Sequence, residues 1–381
     1  MARPRAYILT IGIDAYTSAG LSPNYAGADA DLLGERLANV PGYNVRELRL
    51  RGKVGQAAAT RQAIADAIAL LAPDNHLAAR ARLKALGVDA ADFAAATSDD
   101  LVIISYAGHG WADRKGNFFL APSDARFLDP SDTNDRSDGE PDKLSLISAS
   151  ALTDWLRPVD AGEAAVIIDA CQSAASVAAH GFKPGPMGDR RLGQLAYNKG
   201  IRILVASRGN KKAREDPRLG HGLLTAALGR DGLNGRGFGH ADIDGDGRIS
   251  LDEWLRYTVM RLPALGSELA AARIEAAGRD LLPFPDATGL APPAPDRVQQ
   301  PSLFDFTGVP STVVVGTEPV PARIERFRLR LTDFGRSSVA TSDRVKVFFT
   351  EAIRPVISMA VVLVLGLVFW IVRRFLWRTA L

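Results

Sequence analysis

Short apolar runs alternate along the chain with longer stretches in which apolar residues recur every three or four positions. Residues 6–13, Ala6-Tyr7-Ile8-Leu9-Thr10-Ile11-Gly12-Ile13, predict a first buried strand. Residues 24–38 place Ala28, Leu32, Leu33 and Leu37 on one repeating face and predict a helix. Asn44 to Leu50 alternates and predicts a strand, and Thr60 to Leu71 predicts a helix. The alanine-rich stretch 75–97 predicts further helix, and Leu101 to Gly108 a second buried strand. An acidic loop rich in Pro, Ser and Asp runs from Ser123 to Lys143, followed by a helix near 148–157 and a third buried strand, Ala164 to Ile168. Gly181 to Gly188 is rich in Gly and Pro and predicts a loop. A strand over Ile201 to Ala206 and helices near 222–228, 251–262 and 264–282 follow. Pro283 to about Pro321 reads as irregular, and 323–333 alternates as an added strand. No internal repeat is present. The order predicts an α/β fold, a mostly parallel sheet with helices on both faces.

The strongest apolar run is the last. Pro355 to Val372 holds eighteen residues without a charge, twelve of them Val, Ile, Leu or Phe. At insertion energies of roughly −0.3 to −0.6 kcal/mol each, those twelve favour the bilayer by about 4 to 7 kcal/mol. As a helix the run spans about 27 Å, close to the hydrocarbon thickness. Trp370 and Trp377 suit an interface, and Arg373-Arg374 a head-group region. The expectation is one C-terminal transmembrane helix, 355–372, with a short basic tail, 373–381. The alternative is a buried core helix. Basic residues on both sides leave the orientation open by charge. The amino terminus runs directly into the first strand and has no secretory signal. The catalytic region is therefore expected in the cytoplasm, behind a single-pass membrane anchor.

The formal charge of +3 suggests nucleic acid only until the tail is set aside. Without Arg354, Arg373, Arg374 and Arg378 the chain has 42 basic and 43 acidic residues, so no nucleic-acid footprint is expected. One cysteine in 381 residues excludes an internal disulfide framework.

That cysteine carries the candidate chemistry. Cys171 follows the strand Ala164 to Ile168, and His109 follows the strand Leu101 to Gly108. Open α/β sheets place their sites at the carboxyl ends of such strands. A thiol beside an imidazole is an activated nucleophile for acyl transfer, and the imidazolium then protonates the leaving amine. The backbone N–H groups of Gly110 and Cys171 would form an oxyanion hole, contributing about 3 to 4 kcal/mol per donor. The competing reading makes His109 a satisfied core histidine and Cys171 a small buried hydrophobe. His76, His180, His221 and His240 lie away from such strand ends.

Tyr106-Ala107-Gly108-His109-Gly110 and Asp169-Ala170-Cys171-Gln172-Ser173-Ala174 resemble the two catalytic motifs of caspase-like cysteine peptidases, most closely the metacaspase and bacterial caspase-like branch. Tyr7 to Tyr16, Ala28-Asp29-Ala30 and Gly220 to Thr225 resemble the same family. The resemblance covers about residues 5–262. It implies a caspase-like domain over 1–262, with a large segment 1–181, a cleavable loop 182–198 and a small segment 199–262. Residues 263–354 are left as a Pro-rich extension. It also implies a thiol endopeptidase acting on protein or peptide substrates. Asp169 matches the family's pocket residue for Arg or Lys, and Asp29 resembles a second acidic pocket residue, so a basic P1 residue is expected. Ala107 and Ala174 depart from the family's serine and glycine. With basic specificity, Lys183, Arg190, Arg191, Arg126, Arg136 and Lys143 become candidate self-cleavage positions.

Asp242 to Glu253 fits an EF-hand loop. Asp242, Asp244, Asp246, Ser250 and Glu253 supply oxygens at positions 1, 3, 5, 9 and 12, Gly247 sits at 6, and the Arg248 backbone serves at 7. Ca2+ is the expected cofactor, with no organic one. Gly232, Gly235, Gly237 and Gly239 break any entering helix. No G-x-S-x-G elbow, P-loop or zinc-type Cys/His cluster supports another hydrolase. The alternative of a different class is a catalytically silent caspase-like scaffold at the membrane.

Overall fold

Five strands that alternate onto two apolar faces organise the computed structural model, which describes residues 3–17, 25–53, 56–74, 76–113, 117–126, 142–172, 189–206, 215–216, 218–233, 241–280, 299–307 and 311–316. In chain order the elements begin with β1 (Arg5–Ile13), α1 (Ala26–Arg36), β2 (Asn44–Lys53) and β3 (Gln56–Ala57). Next come α2 (Arg61–Ala69), α3 (Leu77–Ala85), β4 (Leu101–Ala112), β5 (Phe118–Leu120), β6 (Ile147–Ser148) and α4 (Ala149–Leu156). β7 (Glu163–Gln172), α5 (Asp189–Lys199), β8 (Arg202–Val205), β9 (Glu215–Asp216) and β10 (His221–Gly222) follow. α6 (Leu223–Thr225) runs into a π-helical turn, Ala226–Gly232, before β11 (Arg248–Ser250), α7 (Leu251–Asp280), β12 (Ser302–Asp305) and β13 (Val313–Gly316).

Among the described residues the main sheet has the order β12-β8-β7-β4-β1-β2-β3, with β5 and β6 extending from β4. β8, β7, β4, β1 and β2 are mutually parallel. The expected α/β architecture with a mostly parallel sheet is therefore present. Successive strand residues face opposite layers. Leu9, Ile11, Ile104, Val166 and Ile168 pack with Ala63, Ile64 and Ala67 of α2, Leu152 and Leu156 of α4, and Leu192 and Leu195 of α5. Ile8, Ile103, Ala165 and Ile167 pack with Leu33 and Leu37, with Leu224 and Leu228, and with Trp254 and Leu255 of α7. Side-chain oxygens set two helix starts. Thr60 Oγ1 accepts the Ala63 N–H at 3.1 Å and Ser148 Oγ the Ala151 N–H at 3.1 Å.

Three expectations change. The expected loop 182–198 contains most of α5, whose Leu192, Leu195 and Ala196 bury one face at helical spacing. The Gly- and Pro-rich approach hid that short period. The helices expected at 251–262 and 264–282 are one helix, α7, with Pro263 inside it. Proline removes one backbone hydrogen bond, but the buried face continues across it through Leu255, Leu262 and Leu265. The segment expected to be irregular up to Pro321 supplies β12 and β13. Each is four residues long, too short to show a period in sequence.

These two strands tie the extension to the domain. β12 pairs antiparallel with β8, and β13 pairs antiparallel with β11. Arg202 is 1% exposed and forms ion pairs with Glu163 and with Asp305, the latter at 3.1 Å. Glu163 also accepts the Thr312 N–H at 2.8 Å. The boundary expected at 262 thus falls inside α7, and the fold continues to Gly316. Among the described residues no helix is long and apolar enough to cross a membrane. Pro355 to Val372, 373–381 and the strand expected at 323–333 lie outside the described residues.

Candidate active site

The parallel pairing of β4 with β7 runs from Leu101↔Glu163 to Gly110↔Gln172 and makes His109 and Cys171 direct register partners. Neighbouring strands stand about 5 Å apart, so the two backbones meet at the carboxyl end of the sheet. The Cys171 side chain lies outside the described part of the structure. Gly110 stands between Gln172 on one side and Leu120 of β5 on the other.

The His109 backbone is held from three directions. Its N–H donates to Tyr16 Oη at 2.7 Å, and its carbonyl accepts the Ala121 N–H at 3.0 Å. The Tyr106 hydroxyl, shared with the Ala121 carbonyl at 2.7 Å, lies 2.8 Å from that same oxygen. The Tyr16 ring lies over the imidazole, with centroids 5.1 Å apart and planes inclined by 30°. Gly108 leaves room for both phenols, because a Cβ there would stand 2.9 Å from Tyr106 Oη and 2.9 Å from Tyr16 Oη. The imidazole is largely buried, and burial lowers its pKa to about 4. At neutral pH the ring is neutral, the form that accepts a proton from a thiol.

Beside this pair the structure brings Asp29 and Asp169 together. Asp29 sits in the first turn of α1 and is 3% exposed. Its Oδ1 lies 3.0 Å from His221 Nδ1, and its two oxygens accept the Gly222 N–H at 3.1 and 3.2 Å. Burial raises the Asp29 pKa, and the hydrogen bonds from His221 and Gly222 oppose that rise. Asp169, on β7 two residues before Cys171, accepts from Thr225 Oγ1 at 3.1 Å and from the Thr225 N–H at 3.3 Å. The place a Cβ on Gly222 would take is 2.8 Å from Asp169 Oδ2 and 3.0 Å from Asp29 Oδ2. The two carboxylates therefore both approach the Gly222 backbone closely, an approach that the absence of a Cβ permits.

The acidic loop lies elsewhere. Asp242, Asp244 and Asp246 each offer an oxygen, and these lie within 4.8 Å of one another. Asp242 also accepts the N–H groups of Gly245 and Gly247 at 2.8 and 3.0 Å, and Asp246 that of Arg248 at 2.7 Å. Ser250 and Glu253 form a reciprocal cap at the start of α7: the Ser250 N–H donates to Glu253 Oε2 at 2.9 Å, and the Glu253 N–H to Ser250 Oγ at 3.2 Å. Glu253 Oε1 is buried with no hydrogen-bond partner among the described residues. The three aspartates could hold a hard cation, and the carboxylates that group this closely do not include Glu253. β13 pairs with the loop through Ile249↔Val315, the side where a second hand would otherwise stand.

Of the candidate cleavage positions, Arg190 and Arg191 fall in α5. Arg126 is exposed and pairs with Asp142 at 2.7 Å, while Lys143 lies 5.4 Å over the Trp111 ring. Lys183 and Arg136 lie outside the described residues.

Sequence reasoning did not find Tyr16, Tyr106, His221, Gly222 or Thr225 as site residues. Tyr106, His221, Gly222 and Thr225 stand inside motifs already singled out, but a role in a pocket depends on which distant carboxylate each meets. No family model matches the chain, and no curated protein matches it.

Proposed function

We propose that the protein is a caspase-like cysteine endopeptidase that cuts after Arg or Lys and is tethered to the membrane by Pro355 to Val372. The observation that carries this reading is the register pairing of His109 with Cys171 at the carboxyl ends of adjacent parallel strands. The neutral His109 imidazole takes the thiol proton, and the Cys171 sulfur attacks the carbonyl carbon of the scissile peptide bond. The N–H groups of Gly110 and Cys171 receive the developing oxyanion. The imidazolium gives its proton to the leaving amine, and water then releases the acyl group by the reverse proton route.

Asp169 and Asp29 supply the negative charge for a cationic P1 side chain. Two carboxylates in a half-desolvated space favour a cation and reject an aspartate. The loop Asp242 to Glu253 is assigned to Ca2+, held by Asp242, Asp244, Asp246 and Glu253 with the Arg248 carbonyl and with Ser250 at position 9. When bound, the ion neutralises the clustered carboxylates and braces the start of α7.

Fluorogenic peptides with Arg, Lys or Asp at P1 test the reading on the full chain, with and without calcium. Cleavage of the Arg and Lys peptides, lost in Cys171→Ala, is the expected result. Cleavage of the Asp peptide alone would overturn the specificity. Activity retained in Cys171→Ala would overturn the mechanism. Silence in every arm favours the scaffold.

A further inference from the structure

We propose that His221 and Gly222 are positioning residues of the acidic pocket for an Arg or Lys side chain: His221 orients the Asp29 carboxylate, and Gly222, having no Cβ, lets Asp29 and Asp169 both approach its backbone. This deepens the endopeptidase reading above and rests on it.

Asp29 is removed from water, and a buried carboxylate persists as a charge only when it is paired and hydrogen-bonded. Among the described residues its side-chain partner is the His221 imidazole, not a lysine or an arginine. The arrangement is directional. His221 Nδ1 approaches Oδ1, while the Gly222 N–H reaches both oxygens from the next residue of the same short strand. The imidazole side chain is 22% exposed and that of Asp29 5%, so the ring is the more exposed member of the pair. Desolvation pushes the Asp29 carboxyl toward its neutral form, and the same two donors hold it back. Without His221 the pocket keeps Asp169, but Asp29 loses one of its two hydrogen-bond partners.

Gly222 acts by what it lacks. Its φ of −64° is open to any residue, so backbone conformation gives no reason for glycine. Space does, because a methyl group would lie 2.8 Å from one carboxylate and 3.0 Å from the other. That methyl would push one or both carboxylates away from the Gly222 backbone. Asp169 is fixed separately by Thr225.

The test compares His221→Ala, His221→Asn and Gly222→Ala with the unaltered full chain on an Arg-P1 peptide. In parallel, benzamidine, an amidinium probe of the pocket, is titrated by calorimetry. His221→Ala is expected to raise KM about tenfold, the scale of one hydrogen bond to a charged group, with the change in KM rather than kcat. His221→Asn, whose amide N–H reaches the same Asp29 oxygen, is expected to recover most of that loss. Gly222→Ala is expected to raise KM and weaken benzamidine, and to lower the melting temperature as well, because the methyl must displace a carboxylate. Should His221→Ala fail to fold, His221→Asn and Gly222→Ala carry the test. An unchanged KM in His221→Ala, or tight benzamidine binding in Gly222→Ala, would overturn the inference. If the unaltered chain cuts no basic peptide, the endopeptidase reading fails on its own. The pocket then stands or falls on whether benzamidine binds and whether the variants weaken it.

Discussion

At the scale of single residues, the site depends on keeping polar groups out of water without losing their function. His109 is the clearest case. Its pKa is lowered from 6.5 to about 4 by burial, so the folded state holds the neutral ring while the unfolded chain takes up a proton near pH 6.5. Below that pH the unfolded state binds more protons, and stability falls as the pH drops from 6.5 toward about 4. Urea midpoints measured between pH 7 and pH 5 should decline, and His109→Gln should flatten the decline. A slope unchanged in the variant would assign the loss to other groups. His109 and Cys171 were legible in the sequence because each ends an apolar strand, and strand order does the rest. Tyr16 and His221 were not. Tyr16 lies 93 positions from the histidine it holds, and His221 lies 192 from Asp29. The first pairing arises where the segment after β1 meets the end of β4, and the second where α1 meets β10.

At the scale of elements, the long apolar strands were legible, and the short ones were not. β1 and β4 bury nearly every described position and β7 buries Ala165 to Ile168, and a continuous apolar run survives in any context. β12 has only partly buried Leu303, Phe304 and Asp305 after its first residue, so its pairing with β8 leaves little pattern. A buried charge marks the junction instead. Arg202 joins Glu163 at the start of β7 to Asp305 at the end of β12. Burial opposes the charge on Asp305, but the Thr307 N–H and Arg202 outweigh it and hold the carboxyl below its ordinary range. Arg202→Ala strands two carboxylates, and a broken buried ion pair typically costs about 3 to 5 kcal/mol. Chemical denaturation should show a loss of that order. A loss near zero would mean that the extension is not held through this residue.

At the scale of the whole molecule, the described fold ends with β13, some fifty residues beyond the domain end expected from the family resemblance. A chain stopped after Pro319 should therefore melt cooperatively. One stopped after Arg297, which lacks β12 and β13, should melt at a clearly lower temperature or not fold. Equal melting temperatures would show the two strands to be accessories. The architecture itself was readable from the alternation of apolar runs and helical periods, since a parallel sheet needs that order. The closing strands escaped because their identity lies in what they cover.

The order of synthesis gives this closure a timing. Arg202 leaves the ribosome 103 residues before Asp305. At translation speeds of 5 to 20 residues per second the interval is roughly 5 to 20 s. During it the nascent sheet carries an unmatched edge at β8, and a guanidinium without one of its two carboxylates. The strands bearing His109 and Cys171 are complete by then, but the layer beneath them is not. The last described strands thus act as a clock on the first, and a chain built in this order is finished late in its own translation.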